Sequence, residues 1–228
     1  MLEFLLLDLD DTILDFHKAE EVALKKTLSH FGVDPTPETC SLYSRINKAC
    51  WEALERGEMT RDQVGVGRFE QLFAQVGIPV DARVCNDYYW QQLAIGHYFL
   101  PGAEETLPIL AANYQLYIAS NGSLSVQPSR LASAGIGKYF REIFISEELG
   151  ADKPSKEFFD RCFARIPGFD PGKAMIIGDS LTSDIRGGIN AGIKTCWVNP
   201  KKKASDTVEP DYEIESLSQL PALLERIG

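Results

Sequence analysis

Apolar residues along this chain keep two different rhythms. Glu3 to Leu9 is a short leucine-rich run, too short for a helix and stopped by the turn-forming Asp10-Asp11-Thr12. Such a run predicts a buried strand. From about Ala19 to Gly96 the rhythm becomes helical. Leu24, Leu28 and Phe31 recur at i, i+4, i+7, and Leu42, Ile46, Cys50 and Ala53 keep the same period. Val66, Phe69, Leu72 or Phe73, and Val76 repeat it, and Val84, Tyr88 and Ile95 form a weaker fourth stripe. Breakers separate these stripes at Gly32 to Pro37, at Gly57 and at Gly77 to Pro79, so the stretch predicts several helices and no strand.

Beyond it, strands and helices alternate. Pro101-Gly102 opens a helix through Leu110, and Gln115 to Ala119 reads as a strand ending at Ser120-Asn121-Gly122. Helical residues follow around Pro128 to Ala134, then a short strand at Glu142 to Ile145 and a helix capped by Ser155 that runs to about Arg165. Ala174 to Ile177 is a strand ending at Gly178-Asp179-Ser180, and its helix stops at Gly192. Thr195 to Val198 and Tyr212 to Ile214 are the last strands, before a helix started by Ser216. Alternation of this kind predicts an α/β fold: a three-layer, Rossmann-like parallel sheet with helices on both faces. Residues 1–15 and 97–228 would form that core, and 16–96 an all-helical insertion after the first strand. Ligands bind at the carboxyl ends of such strands. Three of these ends carry polar signals: Asp8 to Thr12, Ser120 to Gly122, and Gly178 to Ser180.

Charge narrows the partners. The 228 residues carry a formal net charge of -10, which argues against a nucleic-acid polymer as partner, because that needs clustered Lys and Arg. Lys201-Lys202-Lys203 is the one basic run and reads as a solvated loop. The five cysteines show no CxxC spacing and fit small buried residues in a reducing compartment rather than disulfides or a zinc site. No apolar stretch is long enough to span a bilayer and no signal-peptide pattern opens the chain. The expectation is a cytoplasmic monomer or homodimer with no membrane partner.

The chemistry lies in the aspartates. Asp8, Asp10, Asp11 and Asp15 gather where the first strand ends. Burying like charges together is costly unless something positive sits among them. Taken singly, each polar strand exit has a plain reading: Asp and Thr capping a turn, an ordinary Ser-Asn-Gly turn, a Lys-Pro surface loop, or acids at a helix start. Together and in this order they carry more. Asp8-x-Asp10-x-Thr12 resembles motif I of the haloacid dehalogenase-like (HAD) superfamily. Ser120-Asn121-Gly122 resembles motif II, Lys153-Pro154 motif III, and Gly178-Asp179-Ser180 with Asp184 motif IV. The helical insertion stands where that superfamily places its C1 cap.

The resemblance implies phosphoryl transfer. Asp8 would be the nucleophile and Asp10 the acid that protonates the leaving oxygen and then the base that activates water. Mg²⁺ would be held by the Asp8 and Asp179 carboxylates and the Asp10 carbonyl. Ser120, Asn121, Gly122 and Lys153 would bind the phosphate together with Asp8. Asp184 and Ser180 would stand behind these, Asp184 orienting a water or Lys153. Asp11 reads as solvated, and Asp15 as the exit toward the cap. Retention of Asp10 and Asp179 points to phosphatase rather than dehalogenase chemistry.

In the insertion, Asn47, Lys48, Trp51, Arg68 and Tyr88 are candidate substrate contacts. Trp51 and Tyr88 also fit core positions or platforms for a base, and Arg68 fits a surface ion pair as well as a phosphate or base carbonyl. His17, His30 and His97 fall in none of the motifs. The stretches 46–51, 67–70, 100–103, 145–154 and 184–192 resemble the noncanonical pyrimidine 5'-nucleotidase subfamily, with Ser120 where that subfamily usually has Thr. The substrate this implies is a small phosphomonoester, a pyrimidine nucleoside 5'-monophosphate. The alternatives are phosphoglycolate or a sugar phosphate, a mutase-like transfer, or a catalytically silent binding module.

Overall fold

The first strand, β1 (Phe4–Leu7), is buried on both faces, as its unbroken apolar run requires. The computed structural model describes residues 1–205 and 208–227, so 206–207 and 228 of the expected core span lie outside the described residues. Four long helices follow β1 without an intervening strand: α1 (Phe16–His30), α2 (Pro37–Glu55), α3 (Arg61–Val76) and α4 (Ala82–Ala94). Then come α5 (Ala103–Asn113), β2 (Gln115–Ser120), α6 (Gln127–Ala134), β3 (Phe140–Ile145), α7 (Ser146–Leu149) and α8 (Lys156–Arg165). The chain continues through β4 (Ala174–Gly178), α9 (Arg186–Ala191), β5 (Lys194–Val198), β6 (Tyr212–Ile214) and α10 (Leu220–Ile227).

Two compact units result: Met1–Phe16 with His97–Gly228, and His17–Gly96. In the first, the strands form one sheet in the order β3-β2-β1-β4-β5-β6. Every pairing is parallel. Because side chains alternate along a strand, Leu5 and Leu7 join one apolar cluster with Leu107, Leu131 and Leu220, while Phe4 and Leu6 join another with Phe158, Phe159 and Cys162. Helices therefore cover both faces. β1 pairs with β2 on one side and β4 on the other, with Leu7 opposite both Ile118 and Ile177. The three polar strand exits thus end side by side, at the point where the strand order reverses.

The helical unit is held by its own core. Thr60 caps α3 in a reciprocal capping box with Gln63, Asp81 caps α4, and Gly77 closes α3 in the left-handed conformation. Tyr43, Phe69 and Tyr89 pack together with ring centroids 5.3 to 6.0 Å apart. One helix turns a different face inward from the one its apolar stripe suggests. α4 buries Ala82, Cys85, Asn86, Tyr89 and Leu93, whereas Val84 and Ile95 are exposed. Periodicity reports a face but not which neighbour it meets, and here Asn86 is drawn inside by a guanidinium described below.

Candidate active site

Asp8 follows β1 directly, its backbone N–H donating to Ile177 O at 2.9 Å. Its carboxylate is buried beside Lys153, whose Nζ donates to Asp8 Oδ1 at 2.7 Å, Asp184 Oδ1 at 2.6 Å and Ala119 O at 2.6 Å. All three donors of the ammonium are thereby used, which is what a lysine shut away from water requires. Asn121 fixes the loop that carries it: Lys153 N donates to Asn121 Oδ1 and Asn121 Nδ2 donates to Lys153 O, each at 2.9 Å. The Asn121 side chain thus ties two loops together, a role the Ser-Asn-Gly turn does not reveal by itself.

Beyond β4 the chain makes a π-type turn, Leu181–Ile185, capped by the Ser180 hydroxyl, which accepts from Ser183 N at 3.2 Å. The turn brings Asp184 back over the strand end, where its Oδ2 accepts from Ser180 N at 3.1 Å. Gly178 makes room for it: a Cβ there would lie 2.2 Å from Asp184 Oδ2. Asp179 is anchored through its carbonyl, which accepts from Trp197 Nε1 at 2.8 Å.

Asp8, Asp179 and Asp184 offer carboxylate oxygens that all lie within 4.8 Å of one another. Set against the single ammonium of Lys153, three carboxylates leave the cluster with two formal negative charges in excess. The titration tendencies reflect this. Burial pushes the Asp8 carboxyl well above its usual range, Asp184, Asp179 and Asp10 add to the effect, and Lys153 opposes it. Burial, Asp184 and Asp11 push Asp179 up to about 7. Burial acts to lower the Lys153 ammonium, but Asp184 and Asp8 outweigh it and hold the group protonated. An all-oxygen donor set with surplus negative charge suits a hard dication, which would return both acids to the ionised form.

The remaining motif residues surround the same strand ends. Ser120 closes β2, its Oγ accepting from Gly122 N at 3.0 Å and from Gln127 Nε2 at 2.9 Å. Asp10 is held by side chains of α6: Gln127 Nε2 donates to its Oδ2 at 2.6 Å, and Arg130 Nη1 donates to its Oδ1. Neither Gln127 nor Arg130 stands out in the sequence. Their only signal is an i, i+3 spacing on one face of the helix after Ser120-Asn121-Gly122, and polar residues on a buried face show no partner until the fold is known. Asp11 is half-buried rather than fully solvated; it adopts a left-handed φ of 56° and its Oδ1 accepts from Phe16 N at 3.0 Å, starting α1.

In the helical unit, Asn47 and Arg68 come together and the other three candidates do not join them. Arg68 is 2% exposed, so the surface ion pair considered for it is not what it makes. Its Nη1 donates to Asn47 Oδ1 at 2.9 Å, its Nη2 to Asn86 Oδ1 at 3.1 Å and its Nε to Gly65 O at 3.3 Å. The rings of Tyr43, Phe69, Tyr89 and Trp90 lie 4.6 to 5.8 Å from it. Lys48 is exposed and faces Glu52 at 3.7 Å. Trp51 is half-buried under Arg61, 6.0 Å from its ring. Tyr88 stacks on His30 with centroids 4.1 Å apart. Among the described residues, no helix is long and apolar enough to cross a membrane.

Comparison with known proteins gives the family. Residues 5–198 match the family described as haloacid dehalogenase-like hydrolase. YfnB of Bacillus subtilis, a HAD-hydrolase by name, is 41% identical over 221 residues, covering 96% of this chain and 94% of YfnB. The pyrimidine 5'-nucleotidase PynA of Streptococcus pneumoniae is 39% identical, covering 98% of this chain and 95% of PynA. The pyrimidine 5'-nucleotidase YjjG of Escherichia coli is 31% identical, covering 97% of each. A crystal structure of YfnB bound to magnesium superposes with a TM-score of 0.93 over 98% of both chains. With the motif residues assembled at one edge of a parallel sheet and these matches spanning nearly its whole length, the chain belongs to the haloacid dehalogenase-like hydrolase family.

Proposed function

We propose that this protein is a Mg²⁺-dependent phosphomonoester hydrolase that works through an aspartyl-phosphate on Asp8, with pyrimidine nucleoside 5'-monophosphates as its substrates. The observation that carries the reading is the buried ammonium of Lys153 bridging Asp8 and Asp184, beside strand ends that also bear Ser120, Asp10 and Asp179. A silent binding module has no need of this costly arrangement. PynA and YjjG, related along nearly their full lengths, support the nucleotide substrate.

In the first half-reaction an Asp8 carboxylate oxygen attacks phosphorus in line with the leaving oxygen. The bond from phosphorus to the nucleoside oxygen breaks as the acyl phosphate forms, and Asp10 gives its proton to the departing oxygen. In the second, Asp10 takes a proton from water, the water oxygen attacks phosphorus, and the acyl phosphate breaks to release inorganic phosphate and regenerate Asp8. Lys153 offsets charge on the transferring phosphoryl group, and Ser120 donates a hydrogen bond to one of its oxygens. The carboxylates of Asp8 and Asp179 and the carbonyl of Asp10 would hold Mg²⁺, with Asp184 steadying Lys153 beside them. That ion would supply neutralisation of the phosphoryl oxygens.

The test is phosphate release with Mg²⁺ across nucleoside monophosphates, sugar phosphates and phosphoglycolate. UMP, dUMP and dTMP are expected to rank first, with no release by Asp8→Asn. If those three rank low, the substrate reading fails. If Asp8→Asn keeps full activity, the mechanism fails.

A further inference from the structure

We infer that Gln127 and Arg130 are positioning residues for the reaction. Together they fix the orientation of the Asp10 carboxylate, and Gln127 also fixes Ser120 as a hydrogen-bond donor. The inference rests on the phosphomonoester reading above and concerns the same site.

α6 follows the Ser120-Asn121-Gly122 loop, and Gln127 and Arg130 lie one turn apart on its buried face. Arg130 is completely buried. A guanidinium is costly to bury, and this one lies over the Phe16 ring at 5.7 Å with its Nη1 on Asp10 Oδ1 and 3.1 Å from Gln127 Oε1. Gln127 then presents Nε2 to both Asp10 Oδ2, at 2.6 Å, and Ser120 Oγ, at 2.9 Å. The chain makes space for that amide, since a Cβ on Gly122 would lie 2.2 Å from Gln127 Nε2.

Two consequences follow. Each oxygen of Asp10 has its own donor, Arg130 on Oδ1 and Gln127 on Oδ2, so rotation of the carboxylate about its last bond is opposed on both sides. Proton transfer needs heavy atoms within about 2.6–3.2 Å, and small misplacements of a reacting group are expensive in rate. Ser120 is constrained in a different sense. A hydroxyl has one proton and two acceptor lone pairs. Gly122 N and Gln127 Nε2 supply donors to its oxygen, so the hydroxyl proton is left to point toward a phosphoryl oxygen. One amide thereby links the acid/base and the phosphate-binding hydroxyl.

The test compares kcat/KM on two esters, because kcat/KM reports steps up to departure of the leaving group and excludes breakdown of the acyl phosphate. p-Nitrophenyl phosphate releases a stabilised anion that needs little protonation. A nucleoside 5'-monophosphate releases an alkoxide that needs Asp10. Arg130→Met is expected to lose at least about tenfold more kcat/KM on the nucleotide than on the aryl ester, within the range general acid catalysis supplies, and Arg130→Lys to recover part of the difference. Gln127→Leu is expected to show the same differential together with a further loss common to both esters, from Ser120. It also carries the test if Arg130→Met does not fold. Equal losses on both esters in the folded variants would show that these residues only support the fold, and would overturn the inference while leaving the hydrolase reading intact. A parental chain inactive on both esters would overturn that reading and the inference with it.

Discussion

Lys153 in the sheet unit and Arg68 in the helical unit are both shut away from water, at 4% and 2% exposure, yet their partners are of opposite kinds. Lys153 meets two carboxylates and a carbonyl, with a third carboxylate, Asp179, close by. Arg68 meets two side-chain amides, one carbonyl and four aromatic rings, and among the described residues no carboxylate pairs with it. Both arrangements satisfy a buried cation. They leave different remainders. The first has surplus negative charge and acids pushed toward their neutral forms, which fits the proposed uptake of a dication. The second is a polar knot that ties α2, α3 and α4 together and continues through Asn47 Nδ2, which donates to Glu20 Oε1 of α1 at 2.7 Å. The two differ in what meets the cation directly: carboxylates in excess around Lys153, amides, a carbonyl and aromatic rings around Arg68.

The largest expected effect breaks the first arrangement. Lys153→Met should lower phosphate release by about 10²–10³-fold, the usual cost of removing one electrostatic stabiliser of the transferring group. A variant retaining more than about a tenth of the parental rate would remove Lys153 from the chemistry.

Next comes the surplus charge itself. Asp179 is held up at about 7 against an ordinary 3.8, so between these values the folded chain binds more protons than the unfolded one. The contribution of this group to unfolding free energy then falls as pH rises from about 4 to about 7, and Asp8, raised as well, acts in the same direction. In chelator-treated protein the decline should be on the order of a few kcal/mol, and Mg²⁺ added near pH 7.5 should raise the unfolding midpoint again. Denaturant titrations across that range check both parts; a flat profile with no response to Mg²⁺ contradicts an over-compensated cluster.

Arg68→Met attacks the second arrangement and should be read in stability, at about 2 kcal/mol, because it strips charged donors from Asn47 and Asn86. An unchanged unfolding midpoint combined with a raised KM for nucleotides would instead give Arg68 a substrate role. The smallest effect is the absence of one. Cys85 in the helical unit and Cys196 in the sheet unit have thiols pushed up to about 12 by burial, and Cys50 and Cys162 are buried too. A thiol reagent should label native protein first at the half-buried Cys40. Rapid labelling at Cys85 or Cys196 would show that its unit opens readily.

The legible parts of this molecule were those where local pattern and tertiary role coincide. A strand buried on both faces has to be a continuous apolar run, so β1, β2 and β4 show themselves, and their polar exits mark the site. α4 was not legible in the same way. Val84, Tyr88 and Ile95 keep a helical period, but Val84 and Ile95 face solvent, while Asn86 turns inward because Arg68 needs an acceptor there. Gln127 and Arg130 are invisible for a related reason: their partners, Asp10 and Ser120, are strand-end residues that reach them only through the folded sheet.

By itself the sequence determined the alternation of strands and helices, the helical insertion and the identity of the acids at the strand ends, because each of these follows from spacing along the chain. Only the tertiary structure decided which charges meet. Lys153 lies 145 residues from Asp8, and Arg130 lies 120 residues from Asp10. Contacts over such separations are set by strand order and by which helix face packs inward, and no local preference encodes either one.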